Sequence, residues 1–141
     1  MNEALEPHFA ALSDALAASE AAPLSAKKAM LVVLLADAYA DRLARPGADV
    51  LAFREGLAAE SEALALVFEL AAMRDGGARL VIEAVEVPLA DYPALKVEDF
   101  MVSLYNQHSV QRVRVMLPDG GRRDVHEVLR AAVGFLQKFT C

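Results

Sequence analysis

The chain has one cysteine, and it is the last of 141 residues. No disulfide can close within the chain, which fits a reducing compartment, so a cytoplasmic protein is expected. A prenylation signal would need its cysteine four residues from the end, and Cys141 does not supply one. Positive charge is also short: 14 Lys and Arg stand against 20 Asp and Glu, for a net charge of -6. Binding to a phosphate backbone or to anionic lipid needs clustered basic residues, so neither nucleic acid nor a membrane surface is an expected partner. Long apolar runs are missing too. The most apolar stretch, Ala29 to Ala36, is far below the ~20 residues of a membrane span. The opening Met1-Asn2-Glu3-Ala4-Leu5-Glu6 has neither a basic start nor an apolar run, so no secretory signal is expected.

Catalytic and cofactor signatures are equally absent. There is no Gly-x-Ser-x-Gly nucleophile turn, phosphate-binding glycine loop or dinucleotide fingerprint, and no cofactor is expected. The three histidines, His8, His108 and His126, have no metal-ligand spacing, so no metal site is expected. No internal repeat, low-complexity tract or long linker divides the chain, which reads as a single domain over 1–141.

What is present is apolar and helical. Hydrophobic residues make up 56% of the chain, many of them alanine, a strong helix former. The leucine and valine content exceeds what a lone 15.2 kDa chain needs, which predicts a homo-oligomer, a dimer, with a buried apolar seam. Arginine outnumbers lysine ten to four, as expected of a GC-rich bacterial genome.

Leu5, Phe9, Leu12 and Leu16 recur at helical spacing, predicting a first helix over 3–20. Ser25 is the expected N-cap of a second helix ending before Pro46-Gly47. Its first half, Met30 to Leu35, is apolar all round, which predicts burial on every side or a place in a dimer seam. Asp37, Asp41 and Arg45 form a polar stripe in which Asp41 and Arg45 can pair for about 0.2–0.5 kcal/mol. A third helix runs from its cap Asp49 to Arg74, with Gly56 the expected place for a kink or split. Glu55, Glu62 and Glu69 repeat every seven residues as a solvated face.

The period then changes. Arg79 to Val87 alternates as a strand covered on both faces, Val97 to Leu104 restores helical spacing, and Val110 to Leu117 is a second strand. The connection between the strands permits parallel or antiparallel pairing. Pro118-Asp119-Gly120-Gly121 is a turn into a short return strand. Asp124 and Glu127 then form a capping-box variant opening a last helix with Val128, Leu129, Ala132, Val133 and Leu136 on its buried face. The expected fold is therefore α+β: three N-terminal α-helices, within residues 3–75, packed with a small C-terminal strand-helix-strand-hairpin-helix unit over 78–139.

Two functional expectations follow. The leading one is a small non-catalytic protein that self-associates and acts as a protein-interaction module. The second is a small-molecule-binding protein or minor enzyme, with its site in the loop Tyr105-Asn106-Gln107-His108-Ser109. There Tyr105, Asn106 and His108 are the candidate ligand contacts, His108 is the acid, base or switch, and Arg122 and Arg123 supply an anion clamp. Arg112 and Arg114 are expected to cross the sheet to Glu83, a structural pairing.

Overall fold

The computed structural model describes residues 5–86 and 109–139. Five helices and three strands lie within them: α1 (Glu6–Ala21), α2 (Ala26–Leu43), α3 (Val50–Glu60), α4 (Glu62–Ala72), β1 (Arg79–Glu86), β2 (Ser109–Met116), β3 (Arg122–Asp124) and α5 (Val125–Gln137). The fold is α+β, with helices dominating. The predicted helix over Val97 to Leu104 lies outside the described residues, as do Tyr105, Asn106, Gln107 and His108.

Four of the five helices start where a short polar side chain accepts an orphan N–H, whereas α1 follows Leu5 with Pro7 in its first turn and no side-chain cap. Ser25 accepts from Lys28 N at 3.1 Å and Asp49 from Ala52 N at 3.2 Å. Asp124 accepts from Glu127 N at 3.0 Å, which is the cap expected of α5. The third helical segment is broken in two, at Ser61 and not at Gly56. Ser61 sits in extended backbone (φ -134°, ψ 108°), and its Oγ accepts from Leu64 N at 3.1 Å. A capping hydroxyl offers the backbone a ready alternative to continuing the helix, whereas a glycine within a helix costs only its propensity. The helix pattern therefore resets after Glu60.

The core joins all five helices to β2. α5 buries Val125, Val128, Leu129, Ala132, Val133 and Leu136, a stripe at i, i+3, i+4, i+7, i+8 and i+11. α2 buries Ala29, Val32, Val33, Ala36, Tyr39 and Ala40, and its alanines let α1 and α4 pack closely against it. Phe9 of α1 meets Tyr39 at 5.6 Å between ring centroids. α2 is not buried on every side: Leu31 is 50% exposed and Leu34 is 41% exposed.

The sheet is antiparallel throughout, in the order β1-β2-β3. β1 and β2 pair without a break from Arg79 opposite Met116 to Glu86 opposite Ser109. The β2–β3 hairpin turns through Gly120, whose φ of +90° favours glycine, and Asp119 Oδ1 accepts from Gly121 N at 2.8 Å. Val113 and Val115 of β2 face the helices and are buried. Among the described residues β1 is the sheet's edge strand, and it is not covered on both faces, since Ile82 on its helix-side face is 53% exposed.

Candidate functional site

Alternation along the strands sorts the C-terminal arginines onto two faces. Arg122 shares the outer face with Glu83 and binds it, its Nε lying 3.1 Å from Oε1 and 3.2 Å from Oε2. Arg123 faces the helix side and reaches Glu62 Oε1 at 2.6 Å. Neighbours on one strand, the two guanidiniums point to opposite sides of the sheet. They form no joint clamp, and each has a carboxylate partner. Glu83 stands opposite Arg112 in the β1–β2 register, yet Arg122, from the far strand, holds its carboxylate. Arg114 stands between them, opposite Val81 on one side and Asp124 on the other.

Two polar constellations elsewhere have chemistry that the sequence pattern did not reveal. In the first, Ser19 Oγ on α1 lies 2.9 Å from His126 Nε2 on α5, a link across 107 positions. Burial lowers the His126 pKa from its ordinary 6.5, although Asp124 and Glu20 pull it upward. A serine beside a neutral imidazole has the composition of a nucleophile and its base. Ser19, however, is 0% exposed, so no substrate can reach it, and the pair ties α1 to α5. In the second, Arg54 of α3 donates to Asp41 Oδ1 at 2.8 Å, to the Asp37 backbone oxygen at 3.1 Å, and to the Asp37 carboxylate. Its Cζ lies 4.0 Å over the Phe68 ring of α4. Burial alone would lower the Arg54 pKa, but the hydrogen bonds and charges of the two aspartates raise it above the ordinary value. Asp41 is thus held by Arg54 rather than by Arg45. Both constellations join helices. Among the described residues, no group of three His, Cys, Asp or Glu could hold a metal ion.

The least satisfied surface is apolar. Lys27, Met30, Leu31 and Leu34 occupy i, i+3, i+4 and i+7 of α2. At about 100° per residue this stripe lies roughly opposite the buried one, so α2 presents two apolar faces. Two hollows flank it. One, of about 650 Å³, is lined by Ser25, Lys27, Lys28, Met30, Leu31 and Leu34. The other, of about 440 Å³, lies between Lys27 and Met30 of α2, Leu70 and Met73 of α4, and Arg79 and Leu80 of β1. Lys27 and Met30 belong to both, so the apolar surface runs without interruption from the outer face of α2 to the edge of the sheet. Leu80 and Ile82 share the helix-side face there. No family model, curated protein or solved structure matches this chain.

The surface is ringed by charge of one sign at its α2 and β1 ends, from Lys27, Lys28, Arg74 and Arg79. No described helix is long and apolar enough to cross a membrane.

Proposed function

We propose that this chain is a small non-catalytic, cytoplasmic bacterial protein that self-associates and works as a protein-interaction module. The observation that carries the reading is the second apolar stripe of α2, with Leu31 and Leu34 about half exposed and joined through Met30 to Leu80 at the sheet edge. Exposed leucines scattered singly need no explanation, but a contiguous apolar floor rimmed by charge marks an association surface. Burying it in a seam accounts for the high apolar content without asking a 141-residue chain to hide every leucine itself. The net charge of -6 leaves proteins as the favoured partners.

Light scattering behind size exclusion tests the reading. The wild-type chain should run at twice 15.2 kDa. The Leu31→Glu/Leu34→Glu double variant should run as a monomer with unchanged far-ultraviolet circular dichroism. A wild-type monomer at every concentration up to about 100 μM would sink the proposal, since a surface of this kind should associate more tightly than that. The hollow of about 440 Å³ favours a second reading, because its size suits a small apolar molecule. Native mass spectrometry would reveal such a reading as a retained adduct.

A further inference from the structure

The two edges of the sheet differ in a way that bears on where the second copy sits. β3 is three residues long and carries two arginines and an aspartate, a short charged edge of the kind that discourages further pairing. β1 is eight residues long and contains no proline, and its ladder with β2 is regular from end to end. Its outer edge is paired with no strand among the described residues. A long, regular edge carrying an exposed isoleucine is a template for another strand.

Resting on the self-association proposed above, we infer that the partner is a second copy of this chain joined β1 to β1 in antiparallel fashion, with Val81 on the two-fold axis. The register follows from the residues. A two-fold perpendicular to the sheet keeps both helix layers on one side, so helix-face positions must meet helix-face positions. With Val81 opposite itself, Leu80 meets Ile82 of the second copy on the helix side. On the outer side Arg79 meets Glu83, and each pair occurs twice. Arg79 otherwise contacts only the Met116 sulfur, at 3.3 and 3.4 Å, and meets no carboxylate among the described residues. Glu83 meets Arg122 through both carboxylate oxygens and its side chain is one-third exposed, so the Arg79 of the second copy would join an existing ion pair.

Neighbouring registers fit worse. With Ile82 on the axis, Val81 faces Glu83 and the charges are unmatched. With Glu83 on the axis, two carboxylates face each other, which is destabilising. The Val81 register also makes one sheet of six strands from two sheets of three. It brings both α2 helices to the same side beside the axis, so the Met30-Leu31-Leu34 surfaces continue the seam that β1 begins.

Cysteine cross-linking in the full chain reads the register directly. In a Cys141→Ser background, Val81→Cys places two thiols on opposed residues, whose Cα atoms lie about 4.5–5.5 Å apart in an antiparallel pair, within disulfide reach. Ile82→Cys places them on a diagonal of about 7–8 Å, beyond that reach. Under mild oxidation with oxidised glutathione, Val81→Cys should become a covalent dimer and Ile82→Cys should lag at least about tenfold in rate. Arg79→Glu, which sets two carboxylates together, should weaken the dimer about tenfold or more at low salt. Faster cross-linking at position 82 than at 81 overturns the register. No cross-link at either position, in a chain that still runs as a dimer, overturns the β1 seam and leaves self-association standing. A chain that runs only as a monomer overturns both.

Discussion

Replacing Arg54 by alanine should release α3 from the rest of the fold. α3 buries only one side chain, Leu57, so apolar packing alone secures it poorly. The Arg54 guanidinium joins three helices: it starts on α3, binds Asp37 and Asp41 of α2, and lies over Phe68 of α4. Its side chain is 21% exposed, that of Asp37 is 29% and that of Asp41 is 53%. The Asp37 contact is charge-assisted and part-buried, which contributes about 1.5–3 kcal/mol. The Asp41 contact is half in water and contributes about 0.2–1 kcal/mol. Stacking on Phe68 adds about 0.5–1 kcal/mol. These contributions share one side chain and do not add in full, so the expected loss for Arg54→Ala is about 2–4 kcal/mol. At about 4 °C per kcal/mol for a chain of this size, Tm should fall by about 8–16 °C.

Thermal unfolding gives the total, and hydrogen exchange locates it. Amides of α3 should exchange faster in the variant, while those of α5, whose burial is independent of Arg54, keep their protection relative to the global loss. Arg54→Lys keeps the charge but cannot fork between two carboxylates or lie flat on a ring, and it should recover less than half of the loss. A cost under about 0.5 kcal/mol for Arg54→Ala, or α3 amides that exchange no faster than in the wild type, would make the guanidinium an ordinary surface charge and refute its role as a clamp.

Three further outcomes follow from other contacts. His126 is neutral in the fold and its pKa lies below 6.5, so the unfolded chain binds the proton more readily. Stability should be full above pH 6.5 and fall as the pH drops from there through the folded pKa, a slope that His126→Gln should flatten in urea titrations between pH 5 and 7. Ser61→Ala removes the cap that opens α4 and should cost about 1 kcal/mol by the same method. Met73, the C-cap of α4, holds φ at +50°. Met73→Gly relieves that strain and should raise stability by up to about 1 kcal/mol, read as a rise in Tm.

Local signals carried most of the fold into view. The capped starts at Ser25, Asp49 and Asp124, the turn at Gly120 and the buried stripe of α5 all depend on residues within a few positions of one another. What depended on distant residues was harder to read. Glu55 and Glu62 are exposed, as a solvated stripe requires, but Glu62 also meets Arg123 from 61 positions away, and the half-buried Glu69 accepts through Oε1 from Ala78 N at 3.1 Å, past the helix end. The link between Ser19 and His126 leaves no periodic trace in either helix. The candidate site shows the same division. Arg122 and Arg123 are adjacent in sequence, but the strand period of two sends them to opposite faces. The Tyr105-Asn106-His108 loop lies outside the described residues.

The same contrast explains why α2 reads as buried all round when one of its faces is open. Hydropathy records that a side chain avoids water; it does not record which molecule removes the water. Val32, Val33 and Ala36 are covered by their own chain, and Leu31 and Leu34 are not, although all five are apolar. The distinction comes from shape. Alanines at 29, 36 and 40 let neighbouring helices approach one side of α2 closely, while the bulkier Met30, Leu31 and Leu34 on the other side stand above the hollows. On the self-association proposed above, the basic rim of Lys27, Lys28 and Arg79 would favour ordered pairing of this second apolar face over aggregation. Removing that rim without touching the floor should therefore change solubility before it changes fold. Lys27→Ser/Lys28→Ser should keep its Tm within about 1 °C, because both side chains are exposed. It should nonetheless show concentration-dependent turbidity that the wild type does not, and clear solutions of this variant at the same concentrations would mean that the rim plays no part in controlling association.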